Sequence, residues 1–360
     1  MTSTEPQFLI RSVREDDLGA LLRLAEMVYF INLPADEAIL REKIRVSVES
    51  FQGDIEDKFA REYIFVMEKV DEDAEDGDRD DRIVGTSMIL ARHGTPEEPH
   101  MYFELREIQK YSETIHSGFI HKVMHLRFDY DGPTEIGGLV LNPDFRGFPG
   151  KLGRQLSFAR FAFMKMKRRC FKNHVLSELM PPLTEDGESV LWEAVGRRFT
   201  NLSYPEADKL SRRNKEFVTS LFPKGDIYTS LLPGEVRDAI GKVGEATEPV
   251  KHMLERIGFR WKQHIDPFDG GPHYWADTDK ITSVSSTRKA KVSRKDPQKS
   301  TKDDGTLALV SSFDREEFRS AQVMVEVSRG LVALSKRTQK LLNVEAGDAV
   351  YITPLESPES

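Results

Sequence analysis

The stretch Leu139-Val140-Leu141-Asn142-Pro143-Asp144-Phe145-Arg146-Gly147-Phe148-Pro149-Gly150-Lys151-Leu152-Gly153-Arg154-Gln155-Leu156-Ser157 decides how this chain is read. It is the end of a buried strand, a turn carrying an arginine and three glycines, and the start of a helix. Glycines let a backbone turn tightly and approach a ligand closely. A helix N-terminus offers unpaired N–H groups and the positive end of the helix dipole. Arg146, Lys151 and Arg154 add positive charge, so the stretch is built to receive phosphate.

Two familiar phosphate loops do not fit. A Walker loop needs Gly-Lys followed by Ser or Thr, and Gly150-Lys151 is followed by Leu152. A dinucleotide fingerprint spaces its glycines as Gly-x-Gly-x-x-Gly, and here they fall at 147, 150 and 153. The arrangement resembles the acyl-CoA pyrophosphate loop of the GNAT acyltransferases, in which an Arg/Gln-x-x-Gly-x-Gly/Ala loop opens a helix. The alternative is a glycine-rich strand-to-helix turn without a ligand.

Composition limits the function classes. With 360 residues the chain can form two or three domains. Its 39% hydrophobic and 31% charged residues are those of an ordinary globular protein. A net charge of −8 argues against broad nucleic-acid binding. No apolar run approaches the roughly 20 residues of a membrane span, and Met1 to Gln7 is polar, unlike a secretory leader. Cys170 is the single cysteine, so no intrachain disulfide forms and a reducing, cytoplasmic setting is expected. Lys167-Arg168-Arg169 precede it, and its expected role is that of a structural residue at a helix end.

Outward from the loop, hydrophobic period assigns the elements. Strands are expected at Phe8–Val13, Tyr63–Val70, Ile83–Ala91, Thr134–Leu141 and His174–Leu179. Asp16-Asp17 and Asp36 open two helices, and Gly153–Arg169 is a third, with Leu156, Ala159, Phe163 and Met166 on one face. The acidic run Asp71–Asp81 is expected as a solvated hairpin tip. Residues 101–130 show no clear period; Tyr102, Phe103, Arg106, His116, His121 and His125 suggest a segment bordering a cleft. Helices are expected at Ser189–Phe199, Tyr204–Phe217, Leu232–Ile240 and Glu248–Ile257, the last capped by Gly258. Phe259–His264 and His273–Thr278 are strands around the turn-rich Ile265–Pro272. Ser283–Gly305, rich in Ser, Thr and Lys, reads as a linker. Short strands after Thr306 suggest a small β-rich module.

Several motifs now coincide in order: Leu33-Pro34-Ala35-Asp36-Glu37, Leu141-Asn142-Pro143-Asp144-Phe145-Arg146, Leu191-Trp192-Glu193-Ala194-Val195-Gly196, Ile240-Gly241-Lys242-Val243, Leu254-Glu255-Arg256-Ile257-Gly258-Phe259 and Phe268-Asp269-Gly270-Gly271-Pro272. Together they resemble the arginine N-succinyltransferase family over most of the chain. The resemblance implies an α/β (α+β) fold with a GNAT-like mixed sheet flanked by helices, a helical second half and a β-rich C-terminal module. The domains expected are 1–182 for acyl-CoA binding, 183–282 completing the substrate cleft, the linker 283–305 and the module 306–360. It implies transfer of a succinyl group from succinyl-CoA, or of a related acyl group, to the α-amino group of arginine or a similar amine. It also implies an oligomer, homo- or hetero-, with no metal, nucleic acid or membrane partner. Leu139 and Leu141 fall in the strand that contacts the acyl-CoA, and Arg146, Gly147, Gly150, Lys151, Gly153 and Arg154 in its pyrophosphate loop.

The chain departs from the family at two places. The family has His-Pro after Ile-Gly-x-Val, its acid/base residue; here Gly244-Glu245 follows. The family has Glu-Met-Arg-Gly after the post-loop strand; here it is Glu178-Leu179-Met180-Pro181. Amine attack on a thioester requires a base for the ammonium proton and N–H donors for the developing oxyanion. Glu245, next in sequence, and His273 are the candidate bases, and Arg106 is the candidate for a substrate carboxylate. Two other readings stay open: a GNAT acetyltransferase acting on another amine, and a catalytically weak CoA-binding subunit of a hetero-oligomer.

Overall fold

The computed structural model describes residues 7–27, 33–70, 82–211, 214–295, 305–314 and 316–355. The expected hairpin tip at 71–81 lies outside them. The chain divides into two units that interleave along the sequence: 1–91, 134–173 and 278–360 form one, and 92–133 and 174–277 the other.

The first unit is built on a sheet. Its first strands are β1 (Phe8–Ser12), β2 (Glu62–Lys69) and β3 (Ile83–Leu90). The second unit's hairpin supplies β4 (His100–Ser112) and β5 (Ser117–Asp129), and the chain returns to the first unit as β6 (Thr134–Leu141). Further on come β7 (His174–Glu178), β8 (Ile227–Tyr228), β9 (Arg260–Ile265) and β10 (Pro272–Asp277) of the second unit. The last part of the chain adds β11 (Arg288–Val292), β12 (Thr306–Asp314), β13 (Glu317–Val325), β14 (Val327–Ser328), β15 (Leu331–Val332) and β16 (Ala349–Pro354) to the first.

Within the first unit the strand order is β14-β15-β11-β16-β12-β13-β1-β2-β3-β6, antiparallel except for the β11–β15 pair. Each residue of β1 is buried, and its outer edge pairs with β13 through Ile10↔Ser320 and Arg11↔Arg319. The C-terminal strands continue the sheet and satisfy the backbone edge that β1 exposes. The stretch expected as a linker, 283–305, begins with regular structure. Its first half is a short helix, Thr282–Ser285, and strand β11, where Ala290 and Val292 point inward between Arg288, Lys289 and Lys291. Every second residue is apolar, enough to bury one face of an edge-side strand.

Helices α1 (Leu18–Glu26) and α2 (Glu37–Gln52) pack Leu21, Leu24, Leu40 and Ile44 onto Ile64, Val66 and Met88. Asp36 caps α2 by accepting the Ile39 N–H at 3.1 Å, and Gly53, at φ +88°, ends it. Helix α3 (Leu152–Met166) is buried from Gln155 to Met164, as a helix apolar on most of its circumference must be. Phe163 sits 4.8 Å from Tyr63 and 5.5 Å from both Phe65 and Phe318, joining α3, β2 and β13. Arg11, also buried, pairs with Asp17 at 2.7 Å and Glu68 at 2.8 Å.

The second unit has the strand order β7-β10-β9-β4-β5-β8. Residues 101–130 resolve into the β4–β5 hairpin. Its first half is partly buried, while from Glu107 to Lys122 most residues on both faces are exposed or half-exposed. A core of Trp192, Phe268, Phe103, Phe222 and their neighbours covers the other half. Trp192 and Phe268 stack at 5.0 Å. The helix expected at 189–199 contains a π-turn, Trp192–Gly196. A Cβ at Gly196 would fall 2.3 Å from the Trp192 ring, so only glycine lets the indole fold back there.

Candidate active site

The glycine loop lies in the first unit, between β6 and α3. Strand β6 is bulged against β3 between Thr86 and Met88, and Gly138 takes φ +55° at that point. Leu139 and Leu141 are half-buried on one face, and Val140 is buried on the other. After β6, Asn142 accepts the Asp144 N–H and starts a single 3₁₀ turn. Phe145 and Phe148 pack edge-on to Phe8 at 6.1 and 5.2 Å, pinning the loop to β1.

The loop backbone is arranged to receive an anion. Gly147 and Gly150 have φ +78° and +99°, and Lys151, the residue before α3, is left-handed at +55°. Among the described residues the N–H groups of Gly147, Gly150, Leu152 and Gly153 have no hydrogen-bond partner. A Cβ at Gly147 or Gly153 would meet nothing within 4 Å, so open space fronts the loop. Gly150 is closed in: Gln155 Nε2 donates to its carbonyl at 3.0 Å, and Gln322 lies beside it. Arg146 and Lys151 are exposed and Arg154 is half-buried. Free N–H groups at the start of a helix, rimmed by cations, suit a pyrophosphate.

The second unit gathers a cluster that no spacing in the sequence announces. His273 faces Glu178 across the β10–β7 ladder. Nε2 of His273 lies 3.5 Å from a Glu178 carboxylate oxygen, and Nε2 of His100 3.4 Å from the same oxygen. His100 and His273 are stacked at 5.4 Å, and His93 meets His100 edge-on at 4.4 Å. His100 and His273 are buried, while the Glu178 side chain keeps 27% exposure. Burial alone would raise the Glu178 carboxyl; the imidazoles of His273, His100 and His93 outweigh it and hold the acid below the ordinary carboxylate range. Burial pushes His273 down to about 3 against the pull of Glu178, and His264 down to about 4.

Beside Glu178 stands the Phe268-Asp269-Gly270-Gly271 turn. Asp266 accepts the N–H groups of Phe268 and Asp269, and Asp269 accepts that of Gly271. Gly271 is obligatory, since its Cβ would lie 2.3 Å from the Leu179 carbonyl oxygen. Burial, then the charge of Glu178, pushes Asp266 up to about 7, and burial, then the charge of Asp266, raises Asp269 well above the ordinary carboxylate value. The donor atoms of His93, His100 and Glu178, and those of Glu178, Asp266 and His273, lie within 4.8 Å of one another. Such imidazole–carboxylate sets are suited to a divalent transition metal.

The other expected residues are dispersed. Glu245 is exposed on a 3₁₀ turn, Glu245–Thr247. Arg106, 37% exposed on β4, donates to Asp226 at 2.7 Å, an oxygen it shares with His125. Gly244 has no room for a side chain. A Cβ there would sit 2.7 Å from the Pro181 carbonyl oxygen and 3.3 Å from that of Met180. The Gly244 N–H and the Thr247 hydroxyl both donate to the Met180 carbonyl. The Met180-Pro181 backbone thus lies where a side chain at 244 would begin.

A bulged strand, a glycine loop with four N–H groups unpartnered among the described residues and a buried helix behind it are the features an acyl-CoA-dependent N-acyltransferase requires, and that is the class of this protein. Comparison with known proteins narrows the class. The family model described as arginine N-succinyltransferase beta subunit matches residues 8–283, and that of its C-terminal domain matches 288–354. The chain belongs to the arginine N-succinyltransferase family. Arginine N-succinyltransferases of Shigella dysenteriae and Escherichia coli K12 are each 30% identical to it over 354 residues, covering 98% of both chains. The solved arginine/ornithine succinyltransferase subunit AI of Pseudomonas aeruginosa superposes with a TM-score of 0.83 at 28% identity, covering 98% of this chain and 100% of that one.

Proposed function

We propose that this chain transfers the succinyl group of succinyl-CoA to the α-amino group of arginine or of a closely similar amine. The observation that carries the donor side is the set of four N–H groups that have no hydrogen-bond partner among the described residues, fronted by open space at Gly147 and Gly153. The CoA pyrophosphate lies on that loop with Arg146, Lys151 and Arg154 around it. The acyl arm follows Leu139 and Leu141, whose strand N–H groups polarise the thioester carbonyl. Attack by the amine forms the C–N bond, expels the CoA thiolate and releases the ammonium proton to a base.

Glu245 or His273 assists that proton transfer. His273 is buried, so it acts through Glu178, the partly exposed carboxylate it faces. Arg106 recognises a substrate carboxylate by exchanging its bond with Asp226. The chain works in the cytoplasm as a homo- or hetero-oligomer. Among the described residues no helix is long and apolar enough to cross a membrane.

The test is thiol release by the purified full chain with succinyl-CoA and arginine, with the N-succinylated product identified by mass spectrometry. Turnover of another amine in preference to arginine would redirect the reading; the Met180-Pro181 backbone at Gly244 favours including ornithine, lysine and agmatine in the panel. CoA binding without turnover of any amine would identify a non-catalytic subunit.

A further inference from the structure

Arg160 stands out among the buried charges of the first unit. It lies in α3, two turns beyond the glycine loop, and is 2% exposed. Its Nε donates to the Ser157 carbonyl at 3.2 Å, its Nη2 to the Ser157 hydroxyl at 2.7 Å and its Nη1 to the Gly137 carbonyl at 3.2 Å. All three acceptors are neutral, and among the described residues Arg160 makes no ion pair. The contrast is Arg11, equally buried, which has Asp17 and Glu68. Burial lowers the Arg160 guanidinium to about 9, which leaves it cationic at neutral pH.

A buried cation without an anion is costly, and the cost persists unless something offsets it. A guanidinium has five N–H donors, so two remain here, one on each Nη. That is the pair of atoms with which arginine grips a carboxylate in a bidentate way. The third contact gives the location. Gly137 immediately precedes the bulged Gly138 and Leu139 of β6, the strand along which the acyl arm runs in the function proposed above. The CoA phosphates are a different anion: eight residues of helix separate Arg160 from the start of α3, roughly 12 Å.

We propose that Arg160 is the counter-charge for the distal carboxylate of the acyl donor, and so the residue that selects a succinyl group over an uncharged acyl chain of similar length. The inference rests on the acyl-CoA reading of the loop. It assigns the donor specificity to the interior of the first unit, behind the β6 bulge, rather than to surface cations such as Arg106.

The test compares kcat/KM for succinyl-CoA and butyryl-CoA, with arginine as acceptor, in the wild type, Arg160→Met and Arg160→Lys. The wild type is expected to prefer succinyl-CoA. In Arg160→Met the succinyl-to-butyryl ratio should fall by roughly 10- to 100-fold, the span expected for loss of a charged hydrogen-bonded pair. Arg160→Lys should keep part of the ratio. An unchanged ratio, with both rates reduced alike, would show that Arg160 only supports the bulge and would overturn the proposal. If Arg160→Met does not fold, the wild type decides: a non-reactive thioether analogue of succinyl-CoA should raise its melting temperature more than the butyryl analogue does, and equal shifts overturn the proposal. Failure of the function reading looks different, as no acyl-CoA would then be turned over with any amine, and the thermal comparison still shows whether the distal carboxylate is recognised.

Discussion

Replacing Gly244 by alanine is expected to destabilise the second unit by about 2–4 kcal/mol. The added Cβ would begin 2.7 Å from the Pro181 carbonyl oxygen, where 3.4 Å is ordinary contact, so one segment must retreat by about 0.7 Å. Neither side can do so freely. The Met180 carbonyl is held by the Gly244 N–H at 2.8 Å and the Thr247 hydroxyl at 2.9 Å. On its other side the Leu179 carbonyl is in contact with Gly271. Overpacking of this kind costs about 1–3 kcal/mol, and weakening one of the two hydrogen bonds adds about 1. Backbone strain contributes nothing, since φ at Gly244 is −68°. Urea unfolding followed by tryptophan fluorescence reads this unit selectively, because Trp192, Trp261 and Trp275 are the chain's three tryptophans and all belong to it. The midpoint should fall with the slope unchanged. Gly225→Ala, whose Cβ meets nothing within 4 Å, is the control and should stay within about 0.5 kcal/mol of wild type. If Gly244→Ala is as stable as the control, the close approach is not limiting, and the Met180-Pro181 backbone does not exclude a side chain at 244.

Gly147→Val should raise the KM for succinyl-CoA by roughly 10-fold with little change in kcat, because a β-branched residue at φ +78° is strained by about 1–3 kcal/mol; an unchanged KM in the thiol-release assay would remove the loop from donor binding. Asp17→Ala leaves Arg11 buried with only Glu68, and should cost about 3–5 kcal/mol, read by far-UV circular dichroism in urea. The pH dependence of the second unit has two opposing parts. His273 is lowered to about 3 in the fold, so its contribution is present above its ordinary pKa near 6.5 and is lost as pH falls toward 3. Asp266 is raised to about 7, so its contribution is present at acid pH and is lost as pH rises from about 4 to 7. His273→Asn removes the first, and the stability of the variant should fall less than that of wild type between pH 6.5 and 4.5; equal slopes would mean that His273 is not kept neutral in the fold.

Legibility in the sequence followed how local each signal was. The glycine loop, α3 and strands β1, β2, β3, β6 and β7 were readable because their period or turn chemistry lies within a single stretch. The β4–β5 hairpin was not, since its distal half is exposed on both faces and so lacks the alternation that marks a half-buried strand. The lysine-rich start of the expected linker concealed β11, where two inward residues, Ala290 and Val292, are the whole signal. The π-turn at Trp192–Gly196 keeps the spacing of an ordinary helix until the indole is placed against Gly196. The candidate site was half visible. Its donor side is one continuous motif, whereas Glu178, His100 and His273 come from three strands far apart in sequence, and only folding brings them together. Arg160 reads as one more polar position of an amphipathic helix, and its lack of an acid partner among the described residues is a property of the packed interior alone.

The pairing of β1 with β13 has a consequence for how the protein is made. Arg11 finds its partner Arg319 about three hundred positions later. During synthesis at roughly 5–20 residues per second, the edge of the first strand waits on the order of 15–60 seconds for the strand that covers it. Contacts so distant in sequence also close slowly once both partners exist. The nascent chain thus carries an unfinished, pairing-competent edge for most of its time on the ribosome, and the second unit, whose residues all emerge before 278, can fold before the first is complete.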